Sequence, residues 1–299
     1  MRANKNLAKT ISCYNVQIME TDNIIAFMGV AGANADLACR QKQPYMNTLA
    51  LPSFDDVFEA VAEGRAKFGM LPIENSQAGR VAEIHNLLPR TDLHIIGEHI
   101  QRIEHHLMGV KGADINNIQY IYSHPQALMQ CRDNLRKFNA QLHPHSNTAV
   151  AASDVAKWND PTKVAIASDL AAELYGLEIL QRNIEDASDN VTVFVVIARE
   201  PSDPEPNDGL TLTSLLFELR NIPSALYKAI GGFATNGVNL IKLESYIRGG
   251  GSVESQFFVT FEGHPSSPNV QRALEELGFY SRKVKVLGVY LADKKRYKQ

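Results

Sequence analysis

Short apolar runs alternate with amphipathic segments along the first two thirds of this 299-residue chain, and that alternation restricts its fold more than any other feature. Apolar runs bounded by turn residues indicate buried strands, and longer segments with helical periodicity indicate helices. The predicted strands are Ile24–Met28, Lys67–Ile73, Leu93–Glu98, Ile118–Tyr122, Val164–Ala167 and Thr192–Ile197, and the predicted helices are Asn34–Gln43, Phe54–Glu63, Val81–Leu88, Pro125–Phe138, Thr148–Lys157 and Leu170–Leu174. This order predicts an α/β fold with a parallel, doubly wound sheet.

A proline-rich, acidic segment at 201–209 divides the chain, because it can neither continue a helix nor bury an apolar face. We expect an extension at 1–23, a first domain at 24–200, a linker at 201–209, a second domain at 210–292 and a solvated basic tail at 293–299. The second domain has the ferredoxin-like order βαββαβ. Its predicted elements are Leu212–Arg220, Ser224–Thr235, Asn239–Ile247, Glu254–Glu262, Asn269–Leu277 and Val284–Leu291, with a flexible turn at Gly249–Gly251.

Charge and apolar patterning exclude several classes of protein. Lys and Arg number 30, and Asp and Glu number 33, so the chain has no net positive charge that would favour binding of nucleic acid. No apolar stretch is long enough to cross a membrane, and none near residue 1 resembles a secretory signal.

Cysteine and histidine spacing argues against metals and disulfides. Cys13, Cys39 and Cys131 are far apart in sequence, which predicts a reduced, cytoplasmic protein. The cluster formed by His94, His99 and His105-His106 matches no zinc-binding spacing, so we expect no metal.

Polar residues lie at the ends of several predicted strands, where α/β folds bind their ligands. Asn75-Ser76 and Ser123-His124 follow predicted strands, and Asn190 to Phe194 lies at an end of the predicted strand Thr192–Ile197. Each has a structural alternative: Asn75 and Ser76 could cap a helix that begins near Ala78, and Ser123 or Thr148 could be an N-cap. Gly29–Asn34 also follows a strand, but it lacks the spacing of a dinucleotide site.

These strings resemble motifs of the prephenate dehydratase family. The resemblance lies in Pro72-Ile73-Glu74-Asn75-Ser76, Ser123-His124-Pro125-Gln126 and Asn190-Val191-Thr192-Val193-Phe194, where Val193 replaces the arginine of the family. It implies two α/β lobes similar to type II periplasmic binding proteins, with crossings near 101 and 184–190. It also implies conversion of prephenate to phenylpyruvate, carbon dioxide and water without a cofactor.

The resemblance further implies which residues form the site. Thr192 is the expected catalytic donor, and because strand side chains alternate, Thr192 and Phe194 should share a face that Val193 does not. The expected substrate contacts are Gly29, Gly32, Asn34, Asn75, Ser76, Ser123, Gln130, Thr148 and Phe194, with Arg80, Arg102 or Arg182 as counter-charges to the two carboxylates.

The C-terminal domain resembles ACT regulatory domains at 222–227 and 242–245. This implies binding of phenylalanine by Ala225, Leu226, Glu244 and Ser245, and assembly into a homodimer or homotetramer. Ser224 replaces a glycine of the family, and Tyr246-Ile247 replace its Arg-Pro pair. A dimerisation module without a ligand is the alternative.

Two other functions fit the same motifs. An arogenate dehydratase would share all of them. A non-catalytic sensor of aromatic metabolites would explain Val193 without chemistry.

Overall fold

The computed structural model describes residues 23–205, 208–247 and 255–297. The predicted extension, apart from its last residue, and the turn at Gly249–Gly251 lie outside these residues. The chain divides into two compact units: residues up to Val81 with Gln101–Phe194, and Ala82–Ile100 with Val195 onward. Within the described ranges, no helix is both long enough and apolar enough to cross a bilayer.

The described residues form helices and strands in an alternating order. The helices are α1 (Asn34–Lys42), α2 (Phe54–Ala62), α3 (Ala82–Leu87), α4 (Pro125–Gln130), α5 (Arg132–Leu135), α6 (Thr148–Trp158), α7 (Asp169–Tyr175), α8 (Ala225–Thr235) and α9 (Pro268–Tyr280). The strands are β1 (Ile24–Met28), β2 (Asn47–Leu51), β3 (Phe68–Asn75), β4 (Gly79–Arg80), β5 (His94–Arg102), β6 (His106–Gly109), β7 (Tyr120–Ser123), β8 (Gln141–Pro144), β9 (Lys163–Ala167), β10 (Glu178–Gln181), β11 (Val191–Ala198), β12 (Thr211–Leu219), β13 (Leu240–Ile247), β14 (Ser255–Glu262) and β15 (Ser281–Leu291).

The first sheet has the order β2-β1-β3-β11-β5, with β4 beside β3. Strand β1 pairs in parallel with both β2 and β3. Its central residues Ile25, Ala26 and Phe27 are fully buried, as an apolar strand covered on both faces requires. The carboxyl ends of β1 and β3 therefore meet at one edge of the sheet, where the polar motifs follow.

The second sheet, with order β10-β6-β9-β7-β8, is mixed rather than wholly parallel. Strand β7 runs parallel to β8 and β9, but β6 is antiparallel to β9 and to β10. The sequence predicts a parallel sheet, and this mixed sheet corrects that prediction. The alternation of strands and helices does not show in which direction the chain enters a new sheet. Both sheets lie largely in the first unit.

Several predicted elements require correction. The helix predicted at Pro125–Phe138 breaks at Cys131, because the carboxylate of Asp186 accepts hydrogen bonds from the N–H groups of Asp133 and Asn134 and caps a separate helix α5. The helix expected to begin near Ala78 begins at Ala82, as α3. Strands β2, β4, β6, β8 and β10 were not predicted, because each is short and carries little alternation.

The C-terminal part of the second unit has the predicted order βαββαβ, in an antiparallel sheet β13-β14-β12-β15. Helices α8 and α9 cover it with a core that includes Phe217, Phe233 and Phe261. Gly288 lets β15 approach β5 closely, since a Cβ at that position would lie 1.9 Å from the main-chain oxygen of Ile95. The segment Ala82–Ile100, which contains most of β5, is thus part of this unit.

Within the tail predicted at 293–299, Asp293 and Arg296 are held by the fold, whereas Lys294, Lys295 and Tyr297 are exposed. Arg296 Nε donates to Glu98 Oε1 at 2.8 Å, and the N–H of Asp293 donates to the same oxygen at 2.9 Å. Glu98 is a buried carboxylate on β5 and needs a positive partner. The basic sequence of the tail does not indicate that Arg296 has a buried partner in Glu98.

Candidate functional site

A cavity of about 480 Å³ in the first unit is lined by six of the ten predicted catalytic and substrate-contact residues. Its polar and charged lining residues include Asn34, Asn75, Arg80, His105, His124, Gln126, Gln130, Ser146, Asn147, Thr148, Asn190 and Thr192. Its apolar lining includes Met28, Pro72, Ile103 and Phe194. Two wider grooves on this unit, lined by residues such as Glu173 and Asn116, contain none of the predicted substrate contacts. This cavity is therefore the candidate site.

Asn75 links β3 to β11 at the cavity wall. Its Nδ2 donates to Asn190 Oδ1 at 2.7 Å and to Thr192 Oγ1 at 2.9 Å. Its Oδ1 accepts from the N–H groups of Gln77 and Ala78 in the turn before β4. The side chain of Asn75 therefore caps a turn, not a helix, and both amide hydrogens are used inside the protein.

Thr192 has a defined hydrogen-bonding role as a result. Its oxygen accepts from Asn75, and within the described part of the chain no acceptor receives the hydrogen of its hydroxyl group. Thr192 and Phe194 line the cavity whereas Val193 does not, in agreement with strand alternation. The hydroxyl is thus available as a donor to a bound molecule.

The three candidate counter-charges are separated in space. Arg80, on β4, lines the cavity. Arg102 lies outside the lining, where its Nη2 is 3.1 Å from Glu185 Oε1, and Arg182 lines another groove. Among the described residues, Arg80 is thus the arginine that could face two carboxylates in this cavity.

The end of α4 contributes Gln130, and His105 lies beside it. Gln130 Oε1 is 2.9 Å from His105 Nε2. Burial lowers the pKa of the His105 imidazole below its usual value, against smaller opposing effects of Gln130 and Glu185. Sequence reasoning considered His105 only as a metal ligand and missed its place in this cavity.

The glycine loop after β1 contacts the cavity through Asn34. Gly29 and Gly32 are not among the lining residues, and their N–H groups donate to Leu51 O and Asp36 Oδ2. Gly32 has a φ of 83° and sits against Ala171, so a larger residue would collide there. The two glycines shape the loop, and their direct contact with a ligand stays a prediction.

Ser76 and Ser123 are not among the lining residues of the cavity. The hydroxyl of Ser123 is buried and donates to the carbonyl of Ile166 at 2.7 Å. Ser76 donates to the carbonyl of Asp189 and accepts from the N–H of Val191. These bonds fix the strand ends, and contact of either serine with substrate stays a prediction.

The N-caps differ from the sequence-based alternatives. His124, not Ser123, caps α4, because its Nδ1 accepts from the N–H of Gln126. Asn147 caps α6 by accepting from the N–H of Ala149, so Thr148 is the first helical residue. His124, Asn147 and Thr148 all line the cavity.

The predicted effector residues occupy two elements of the second unit. Ala225 and Leu226 begin α8, after Ser224 in a left-handed conformation with a φ of 60°. Glycine adopts that conformation most readily, which fits the glycine that the resemblance to ACT domains implies at this position. Glu244 and Ser245 lie on β13, and the hydroxyl of the adjacent Tyr246 is hydrogen-bonded to Nδ1 of His85 on α3.

Comparisons with known proteins give similarities to prephenate and arogenate dehydratases. The prephenate dehydratase family model matches residues 25–202. A bifunctional N-acyl-homoserine lactone acylase/prephenate dehydratase of Komagataeibacter europaeus is 47% identical, over 94% of this chain and all of that protein. Arogenate dehydratase/prephenate dehydratase 2 of Arabidopsis thaliana is 36% identical, over 90% of this chain and 73% of that protein.

A solved structure supports the same assignment. The prephenate dehydratase of Arthrobacter aurescens in complex with L-Phe has a TM-score of 0.81 and 29% identity, over 90% of this chain and 89% of that one. Together with the matched motifs at the ends of β3 and β11, these similarities identify the chain as a member of the prephenate dehydratase family of lyases.

Proposed function

We propose that this chain converts prephenate to phenylpyruvate in the biosynthesis of phenylalanine, in the cytoplasm and without a cofactor. Prephenate and one proton give phenylpyruvate, carbon dioxide and water. The ring becomes aromatic, which provides the driving force, and the difficult event is departure of the ring hydroxyl group. A donor aimed at that oxygen would stabilise the negative charge that develops on it.

The observation that carries this proposal is the hydrogen bond from Asn75 to Thr192 in the cavity wall. It uses a lone pair of the Thr192 oxygen, so the O–H group can donate to the departing oxygen. Thr192 is the catalytic residue in this account and Asn75 a positioning residue. Arg80, Asn34, Gln130, Thr148 and Phe194 would hold the carboxylates and the ring, since all of them line the cavity.

The proposed architecture follows the family. Residues 24–200 form the catalytic domain, with two lobes similar to type II periplasmic binding proteins and crossings near 101 and 184–190. A linker at 201–209 joins it to an ACT domain at 210–292. The two sheets of the first unit and the βαββαβ order of the C-terminal sheet support this division.

A substrate comparison tests the assignment. Purified chain is supplied with prephenate or with arogenate, and phenylpyruvate or phenylalanine is quantified. We expect prephenate to be turned over faster. Faster release of phenylalanine from arogenate would make the chain an arogenate dehydratase, and tight binding of prephenate without turnover would favour the sensor function.

Hydrolysis of N-acyl-homoserine lactones is a second candidate function. The 47% identity to a bifunctional protein with that activity, over its whole length, favours it. The reaction adds water across an amide and releases a fatty acid and homoserine lactone. Mass spectrometry of the purified chain with an acyl-homoserine lactone tests this activity independently of prephenate.

Phenylalanine is expected to stabilise the protein and to lower its activity. The L-Phe complex of a relative supports phenylalanine as a ligand, and we propose that its site is formed by Ala225, Leu226, Glu244 and Ser245. Binding at a hundredfold excess over the dissociation constant would add about 2.7 kcal/mol to the free energy of unfolding. Melting curves and rates are measured with and without phenylalanine.

A matched pair of variants locates this effect. Glu244→Ala should abolish the melting shift, whereas Glu275→Ala, at an exposed position of α9, should retain it. The bond between Tyr246 and His85 offers a route for inhibition, since α3 begins directly after cavity residues Arg80 and Val81. No shift and no inhibition at millimolar phenylalanine would leave the domain without this effector.

We also expect a homodimer or a homotetramer. Strands β13 and β15 are the outer strands of the C-terminal sheet, and open strand edges are usually covered. Light scattering at micromolar concentration should give at least twice the mass of one chain. A monomeric mass would contradict the expectation.

A further inference from the structure

His105 is a buried cavity residue that the reaction scheme above leaves without a role. Its main chain is held on both sides: the N–H group donates to Glu185 Oε2 at 3.0 Å, and the carbonyl accepts from the N–H of Ile184 at 2.9 Å. The imidazole ring is therefore fixed at the cavity wall. Both His105 and Gln130 line the cavity.

The contact between the two side chains defines which ring nitrogen carries hydrogen. His105 Nε2 lies 2.9 Å from Gln130 Oε1, and an amide oxygen can only accept. Nε2 must therefore be the donor. Burial favours the neutral ring, so the second nitrogen, Nδ1, carries no proton.

The orientation of the Gln130 amide follows from this bond. Its oxygen is used by His105, and its main-chain carbonyl accepts from the N–H of Asp186 at 2.8 Å, which holds the end of α4 in place. Within residues 23–205, 208–247 and 255–297, no acceptor receives the hydrogens of Gln130 Nε2. These two hydrogens are available to a ligand in the cavity.

We propose that His105 is a positioning residue that turns the Gln130 amide so that its NH₂ group, rather than its oxygen, faces a carboxylate of the substrate. The inference rests on the proposed function and refines it. With the opposite orientation, the amide oxygen would face the carboxylate and repel it. His105 thus makes the cavity selective for an anionic group at this point.

Binding of prephenate to variants tests the proposal. Dissociation constants are measured by calorimetry in a Thr192→Ala background, where turnover is expected to be about 10²-fold slower or more. His105→Phe keeps a flat ring but removes the donor, and should weaken binding by about tenfold or more, as loss of a hydrogen bond to a charged group does. His105→Gln places an amide N–H near the position of Nε2 and should largely restore binding.

Two further measurements separate positioning from a merely structural role. The double variant His105→Phe/Gln130→Ala should bind no more weakly than Gln130→Ala, because His105 acts through Gln130. Proton–nitrogen correlation spectra of the imidazole should show hydrogen on Nε2 at neutral pH. These spectra are recorded on the chain with Thr192 unchanged and need no substrate.

The outcomes are distinct. Three results would each overturn the inference, even in an active enzyme. The first is hydrogen on Nδ1, and the second is additive losses of binding free energy in the double variant. The third is equal weakening of prephenate binding by His105→Gln and His105→Phe. Absence of prephenate turnover by the unmutated chain would instead overturn the proposed function. The binding series and the spectra would still decide the role of His105.

Discussion

Thr192→Ala is expected to lower kcat for prephenate by about 10²-fold or more, because it removes a donor of the kind that stabilises developing negative charge. The fold should be unchanged, since the lost contact is a single hydrogen bond from Asn75. KM should change less than kcat, because the bond to the departing oxygen strengthens only as charge develops. Steady-state rates and melting curves provide the measurements.

Two control variants sharpen this result. Thr192→Ser keeps the hydroxyl and should retain most of the rate. Val193→Arg restores the residue typical of the family and should change the rate far less than Thr192→Ala, because Val193 does not line the cavity. A Thr192→Ala variant with full activity would eliminate the hydroxyl as donor. An inactive parent that Val193→Arg activates would favour the sensor function.

Arg296→Met is expected to lower the free energy of unfolding by about 3 kcal/mol or more, because removing one member of a buried ion pair leaves the other uncompensated. Its partner Glu98 is only 1% exposed. Two of the Arg296 nitrogens contact the carboxylate, so the pair is bidentate. Denaturant titration of the purified variant measures the loss.

Control variants distinguish this pair from a surface contact. Lys294→Met lies two residues away at an exposed position and should change stability by no more than about 0.5 kcal/mol. Glu98→Gln combined with Arg296→Met should recover part of the loss, since no buried charge remains. A loss for Arg296→Met as small as that for Lys294→Met would mean that the ion pair with Glu98 does not stabilise the fold.

The sequence predicted local features more reliably than tertiary ones. Apolar runs located β1, β3, β9 and β11, and the order of elements after residue 210 was predicted in full. The direction of β6 was not predicted, because the direction of a strand depends on how the chain enters the sheet. The burial of Glu98 by Arg296 was also missed, since the two residues are distant in sequence.

The same limit applies to the candidate site. Asn75, Thr192 and Phe194 are expected from the resemblance to the family motifs, and all three line the cavity. Ser76 and Ser123 carry the same residue type at similar positions, but their hydroxyls bond to main-chain atoms instead. His105 lies in no motif, and only its distance to Gln130 reveals its place. Sequence position alone cannot separate residues on a cavity wall from those behind it.

The most direct test of this account is an assay of the unmutated, purified full chain with prephenate alone. Phenylpyruvate and carbon dioxide should form in equal amounts, without added metal or cofactor, although Val193 replaces the arginine of the family. Formation of neither product, with the protein folded and prephenate bound, would contradict the account.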